Sequence, residues 1–417
     1  VRILIISATF PYPPSLGGTQ VRTFYLLKYL AQHHSVTLVT QRSRSVTDRD
    51  LYRLGTYVNQ LVTFPQPTGA DLQPGLGGKI SRFGQFLGTG TPPSTQFLHQ
   101  SAMQRWIDSW VIAGGDAITC EHSVNEVFVR PQYRYRIPKV VVNIHSSVYG
   151  TLVNQLATGT AEKPIRDRIN RYLMGRYERR YVQKFSDLVV TTPEDHQFFQ
   201  PIPNNAGLHV VPNGVDLAQF PYRLEDPGGH RLVFVGAMDT LANGHTARYL
   251  GRKVLPRLRS RYPDCSLYLV GRNPTAAVRD LAQRSGVTVT GAVHSVVDYL
   301  HRATVCVVPM RVGFGIKNKT LEAMAAGVPV VGSDRGLEGL SVDRPLAALR
   351  ANSLRDTVAA ISQLFEQPHL RATLSKNSRH LVETSFTWEQ AGQAYEQILA
   401  SDLGGLKNLR GLNGDRR

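Results

Sequence analysis

The chain is sparing with several residue types and patterns, and each shortage removes a class of function. It has 3 cysteines in 417 residues. Cys120, Cys265 and Cys306 lie far apart, each in an apolar, strand-like run, which reads as buried thiols and argues against a disulfide framework, a cysteine-ligated metal or redox chemistry. No apolar run approaches the roughly 18 residues a membrane-crossing helix needs. The opening "VRILIIS" reads as a strand rather than the charged-then-apolar layout of a secretion signal, so a cytoplasmic location is expected. Acidic residues are in deficit, 31 against 48 lysines and arginines, for a net charge of +17. Such an excess calls for an anionic partner: nucleic acid, a membrane surface or a phosphorylated substrate. No RNA-binding motif and no internal repeat is present, and nucleic acid is not expected as a partner.

What the chain does contain is enough apolar residue to fold. At 42% hydrophobic and 19% charged it is globular in composition, and its length suggests two domains. Short apolar runs ("VRILIIS", "HSVTLVT", "LVTF", "DAITCE", "KVVVNIH", "SDLVVTT") alternate with helical stretches. The pattern restarts with "RLVFVG", "CSLYLVG", "VTVTG", "TVCVVP" and "VPVVGSD". That alternation predicts an α/β protein of two doubly wound, Rossmann-like parallel-sheet domains facing a cleft. The Pro-, Gly- and charge-rich segment 216–231 is the expected linker, dividing 1–215 from 216–385. A last helix over 386–400 is expected to pack back on the first domain, and 401–417 reads as a flexible basic tail.

Ligands of open α/β sheets bind beyond the carboxyl ends of the strands, so loops after strands carry the chemistry. The stretch "GFGIKNKTLEAMAAGVPVV", residues 313–331, follows the strand "TVCVVP". Glycines there let backbone amides approach a ligand, and the helix starting near Asn318 offers N–H groups and a positive dipole end. Arg311, Lys317 and Lys319 add cations, and together these features suit a pyrophosphate. Glu322, one turn later, would be repelled by phosphate but can accept from the hydroxyls of a ribose further along the same ligand. Glu322 is therefore read as the ribose anchor of a nucleotide.

These residues carry a resemblance. "GFGIKNKTLEAMAAGVPVVGSDRGLEGL", "VVPNGVDLAQF" at 210–220 and "FVGAMD" at 234–239 together resemble the retaining glycosyltransferases of the GT-B fold, specifically glycosyltransferase family 4. The resemblance implies that the first domain binds an acceptor and the second a nucleoside-diphosphate sugar. It further implies transfer of the sugar to an acceptor hydroxyl with retained configuration, without metal or cofactor. Glu322 matches the second glutamate of the family's E-x7-E motif, and Phe314 stands where the first would be. The amides of Phe314, Gly315 and Ile316 are then the remaining contacts to sugar hydroxyls. Relatives carry an arginine and a lysine after the glycine corresponding to Gly236, and "GAMDTLANGH" has neither, so Arg311, Lys317 or Lys319 is expected to take over the phosphate charge.

The same likeness implies that Val293, in "VHSVVDYL", reads the base through its backbone and that His145 lies near the sugar; Arg272 and Asn273, which also follow a strand, either flank the base or cap the next helix. Gly17 and Gly18, between the first strand and first helix, are candidates for the donor phosphates or acceptor, and Glu121 and His122, ending another strand, for the acceptor. The amphipathic stretch 166–184 sets seven basic residues against Asp167 and Glu178. With Ile165, Ile169, Tyr172, Leu173, Tyr177 and Tyr181 read as its buried stripe, its basic outer face could meet an anionic membrane at the inner leaflet. The acceptor, whether glycan, lipid or small molecule, is not legible, although polysaccharide, glycolipid or envelope synthesis fits. A nucleotide-sugar 2-epimerase of the same fold and a non-catalytic basic anion-binding protein are the alternatives.

Overall fold

A computed structural model describes residues 1–14, 17–68, 84, 86–88, 90–159, 161, 163–203, 207–313 and 315–401. The described residues form two compact units, those of Val1–Val211 with the chain from Ala391 to residue 401, and Pro212–Gln390; the rest of the expected basic tail lies outside the described residues. The division thus falls ahead of the Pro/Gly-rich segment 216–231, whose residues belong to the second unit.

The first unit is built on seven strands: β1 (Arg2–Ser7), β2 (Ser35–Arg42), β3 (Gln60–Pro65), β4 (Ala117–Glu121), β5 (Lys139–Asn143), β6 (Asp187–Val190) and β7 (Gly207–Val210). They run in the order β3-β2-β1-β4-β5-β6-β7, every pairing parallel. β4, β5 and β6 are buried along their whole length, which is why they read as continuous apolar runs without alternation. The second unit carries β8 (Arg231–Val235), β9 (Ser266–Val270), β10 (Val287–Gly291), β11 (Val305–Val308), β12 (Val330–Gly332) and β13 (Leu349–Arg350). Their order is β10-β9-β8-β11-β12-β13, again all parallel. Each sheet reverses its winding beside its first strand, between β1 and β4 and between β8 and β11. The expected pair of doubly wound sheets is therefore present, and each has one switch point at which a ligand crevice is expected.

The chain from Ala391 is part of the first unit, where the helix Trp388–Ala400 sets Gly392 against the Tyr29 ring and Glu396 on Tyr29 Oη (3.1 Å) and His34 Nε2 (2.7 Å). In the helix Pro164–Tyr181, the expected single buried stripe splits in two. Leu173, Tyr177 and Tyr181 are buried, but Ile165, Ile169 and Tyr172 are 77%, 57% and 67% exposed. Apolar spacing identifies rows on a helix without saying which row meets the core, and here only the row of Leu173, Tyr177 and Tyr181 does.

Gly214, in "VVPNGV", shows why that stretch tolerates no side chain: a Cβ there would lie 2.3 Å from the Trp388 nitrogen. The chain passes so closely because Val215 N donates to Phe386 O at 2.8 Å.

Candidate functional site

At the switch point of the second sheet, the loop after β11 leads into the helix Asn318–Ala325, and among the described residues no side chain caps its N-terminus. First-turn N–H groups of such a helix are oriented to receive an anion. Lys319 projects from this turn toward the end of β8: its Nζ is 2.5 Å from Asn243 Oδ1 and 4.5 Å from the centre of the Phe234 ring. Asn243 is itself fixed, its Nδ2 donating to Ala237 O at 2.8 Å. Gly236 leaves room for the ammonium, since a Cβ there would lie 2.8 Å from Nζ. Burial lowers the Lys319 ammonium to about 7 against the opposing pull of Glu322. Burial raises the Glu322 carboxyl to about 7, with Lys319 opposing. A cation and an acid one turn apart are thus both held near neutrality, ready to be reset by a ligand carrying charge and hydroxyls.

The neighbouring cations have other positions. Lys317 is buried and bound within the protein: Nζ meets Glu338 Oε2 at 3.2 Å and also donates to Gly315 O. The other oxygen of Glu338 accepts from Arg335 at 2.5 Å. Lys317 therefore fastens the glycine loop, and the expected phosphate charge from it is already opposed by Glu338. Arg311 is exposed, and with Arg248 it helps keep His245, already lowered by burial, below its ordinary value. Ile316 packs into the apolar core. Asn318 Oδ1 accepts from Asn213 Nδ2 at 2.9 Å, tying "VVPNGV" to the start of the helix. Phe314 lies outside the described residues. Val293 is half-buried against the core, the Arg272 carbonyl accepts from Met238 N at 2.9 Å, and Asn273 Nδ2 meets Asp239 Oδ2 at 3.1 Å. The loops after β8 and β9 touch through backbone: a Cβ on Gly271 would lie 1.9 Å from Gly236 O.

The switch point of the first sheet is organised around Glu121, at the end of β4. Glu121 is 1% exposed. Its Oε2 accepts from Asn143 Nδ2 (2.7 Å), and Oε1 from Thr119 Oγ1 (2.5 Å) and Tyr395 Oη (3.2 Å). Asn143 in turn receives Nε of the buried Arg22 at 2.9 Å, from the helix Gly18–His33. Burial pushes Glu121 up, but His145, Thr119 and Arg22 outweigh it and keep its carboxyl below the usual range. With both oxygens so engaged, Glu121, a candidate acceptor contact from sequence, is the buried hub of this switch point. His145 Nε2 stands 3.9 Å from Glu121 Oε2, and its ring meets that of His122 edge-on at 5.0 Å. Burial lowers both imidazoles, His122 to about 3 with His145 adding to the effect, so both are neutral at pH 7. Gly17 precedes the first helix without a side-chain cap, and a Cβ on Gly18 would meet open space.

Sequence reading missed Arg22, Asn143, Tyr395, Asn243 and Glu338. For Asn243 a signal existed: Thr240 caps its helix by accepting from Asn243 N, which sets Asn243 in the first turn after β8. Among the described residues no group of three or more histidine, cysteine or acidic side chains could hold a metal, and no helix is long and apolar enough to cross a membrane.

The family model described as "Glycosyltransferase Family 4" matches residues 16–219, and that described as "Glycosyl transferases group 1" matches 229–367. No curated protein sequence matches the chain. Among solved structures, sucrose-phosphate synthase from Thermosynechococcus elongatus is similar at TM-score 0.66 and 19% identity, covering 96% of this chain and 100% of that one. HepE from Anabaena, in complex with UDP, gives 0.65 and 13%, with 96% and 100% coverage. WaaG, a glycosyltransferase involved in lipopolysaccharide biosynthesis, gives 0.63 and 15%, with the same coverage. At these identities the likeness is one of fold, the two-sheet GT-B architecture.

Proposed function

We propose, from the premise that both halves of this chain belong to glycosyltransferase families, that it transfers a sugar from a nucleoside diphosphate to an acceptor hydroxyl with retention and without a metal ion. The observation that carries the reading is the conjunction of Lys319, an uncapped helix N-terminus and Glu322 one turn later. Lys319 and the first-turn amides receive the diphosphate, and Glu322 accepts from the ribose hydroxyls. As the bond between anomeric carbon and phosphate oxygen breaks, both electrons leave with the nucleoside diphosphate. The protonated Lys319 stabilises that developing charge, a task for which one donor is worth about 3–4 kcal/mol in a water-poor site. The acceptor oxygen bonds the anomeric carbon on the same face and its proton passes to the departing phosphate. His145, neutral and held beside Glu121, orients the sugar. Uridine is the favoured base because the similar HepE binds UDP, and envelope glycan or glycolipid synthesis in the cytoplasm is the favoured setting because WaaG acts in lipopolysaccharide synthesis.

The test is a panel of UDP- and GDP-sugars, first by thermal shift and then by release of nucleoside diphosphate with and without lipid, glycan and small-molecule acceptors. The expected outcome is acceptor-dependent UDP release, unaffected by EDTA, with an axial donor bond giving an axial product bond by NMR. Isomerised donor in the absence of acceptor would replace transfer with epimerisation, and loss of turnover in EDTA would refute metal independence.

A further inference from the structure

The helix Pro164–Tyr181 turns Leu173, Tyr177 and Tyr181 into the core. Yet Ile165, Ile169 and Tyr172, four and then three residues apart, form a second row about a third of a turn round from the first, where they are largely exposed. Apolar residues exposed singly need no explanation, but an aligned outward row does. The row is bordered by Arg168, Arg171 and Arg176, all exposed. The helix's two acids do not offset them on that side. Asp167 is 4% exposed and bound by Arg166. Glu178 is 3% exposed and accepts from Ser147 Oγ and from Val148 N at 2.7 Å, fastening the start of the preceding helix. The outward face is therefore apolar along its centre and purely cationic at its borders.

We infer that this face docks on an anionic lipid bilayer, with Ile165, Ile169 and Tyr172 entering the headgroup boundary and the arginines meeting lipid phosphates. An isoleucine pair with a tyrosine beside it suits the interface, where an aromatic ring can be half apolar and half wet. Arginine borders add attraction that neutral lipid cannot supply, and this selects an anionic surface over an apolar partner protein. The inference does not depend on the sugar-transfer reading, since it uses no residue of either switch-point site.

The experiment is co-sedimentation of the full chain with vesicles of phosphatidylcholine alone or with 30 mol% phosphatidylglycerol, a lipid composition that places about one anionic headgroup in three. Binding is expected only to the anionic vesicles, weakened by salt. The double variant Ile165→Ser/Ile169→Ser is expected to lose at least about tenfold in partition coefficient, and Arg168→Gln/Arg171→Gln roughly fivefold per arginine. Arg252→Gln/Arg257→Gln, exposed in the second unit, controls for the overall positive charge and is expected to bind as wild type. Because the altered side chains are exposed, melting temperatures should be unchanged. A Tyr172→Trp variant should show a blue-shifted emission with anionic vesicles, quenched by brominated lipid. Equal losses in the second-unit control, undiminished binding of the isoleucine variant, or no binding at low salt would overturn the inference. So would self-association in sedimentation velocity that the isoleucine variant abolishes, which would assign the face to a second copy of the chain.

Discussion

Lys319 should take up a proton when a nucleoside diphosphate binds. In the free protein burial lowers this ammonium to about 7, so at pH 8 only about a tenth of the molecules carry the charge. A diphosphate placed beside Nζ favours the charged form and restores the pKa toward or above its ordinary value. Binding at pH 8 therefore takes up about 0.9 proton at Lys319, and Glu322, raised to about 7, returns at most about 0.1 as it becomes fully ionised against the ribose. The sign follows: affinity peaks near pH 7, falling below it because Glu322 must then give up a proton and above it because Lys319 must gain one, by close to tenfold per unit above pH 7 until the pKa of the complex is reached. Calorimetric titration of UDP at pH 8 in buffers of different ionisation enthalpy reads the proton number as a slope, expected at about 0.8. Lys319→Met should abolish the uptake and cost on the order of a hundredfold in turnover, whereas Lys319→Arg, permanently charged, should bind without uptake. A slope of zero in the wild-type protein, or uptake that survives in Lys319→Met, would refute the assignment.

Glu322→Gln should weaken UDP about tenfold and abolish the preference for UDP over its 2′,3′-dideoxy analogue, by the same calorimetry, because a charge-assisted acceptor is lost. If the preference persists, the ribose is held elsewhere. Tyr395→Phe removes a hydroxyl from both Glu121 and Thr119; urea denaturation should show about 1–2 kcal/mol of lost stability. Its kcat should fall severalfold while UDP affinity is unchanged, and an undisturbed kcat would remove the hub from the reading of His145. Gly271→Ala sets a Cβ against Gly236 O, within 1.9 Å before relaxation, and should cost about 3 kcal/mol of stability together with UDP binding; wild-type melting and affinity would contradict the packing of the two loops.

The sheets were legible because parallel strands buried on both faces cannot hide: each appears as a short apolar run, and their alternation with helices leaves little choice of architecture. Lys319 and Glu322 were legible as a pair because one helical turn holds them together whatever the rest of the chain does. The distinction between Lys317 and Lys319 was not. Both are lysines of one loop, and what sets Lys317 apart is its pairing with the carboxylate of Glu338, 21 residues further on. The Glu121 hub was less legible still. Its partners stand 22 residues away at Asn143 and 274 away at Tyr395, and Arg22 reaches Asn143 across 121. No local pattern signals a bond made by chain return. The helix Pro164–Tyr181 failed differently, since its two apolar rows are equivalent in sequence and only the packed structure says which is inward.

The decisive measurement is a crystal structure of the protein soaked with UDP at millimolar concentration. Density for a diphosphate against Lys319 Nζ and the first amides of the helix Asn318–Ala325, with ribose hydroxyls on Glu322, is the predicted result. A nucleotide bound elsewhere, or this turn left without one at that concentration, would contradict it.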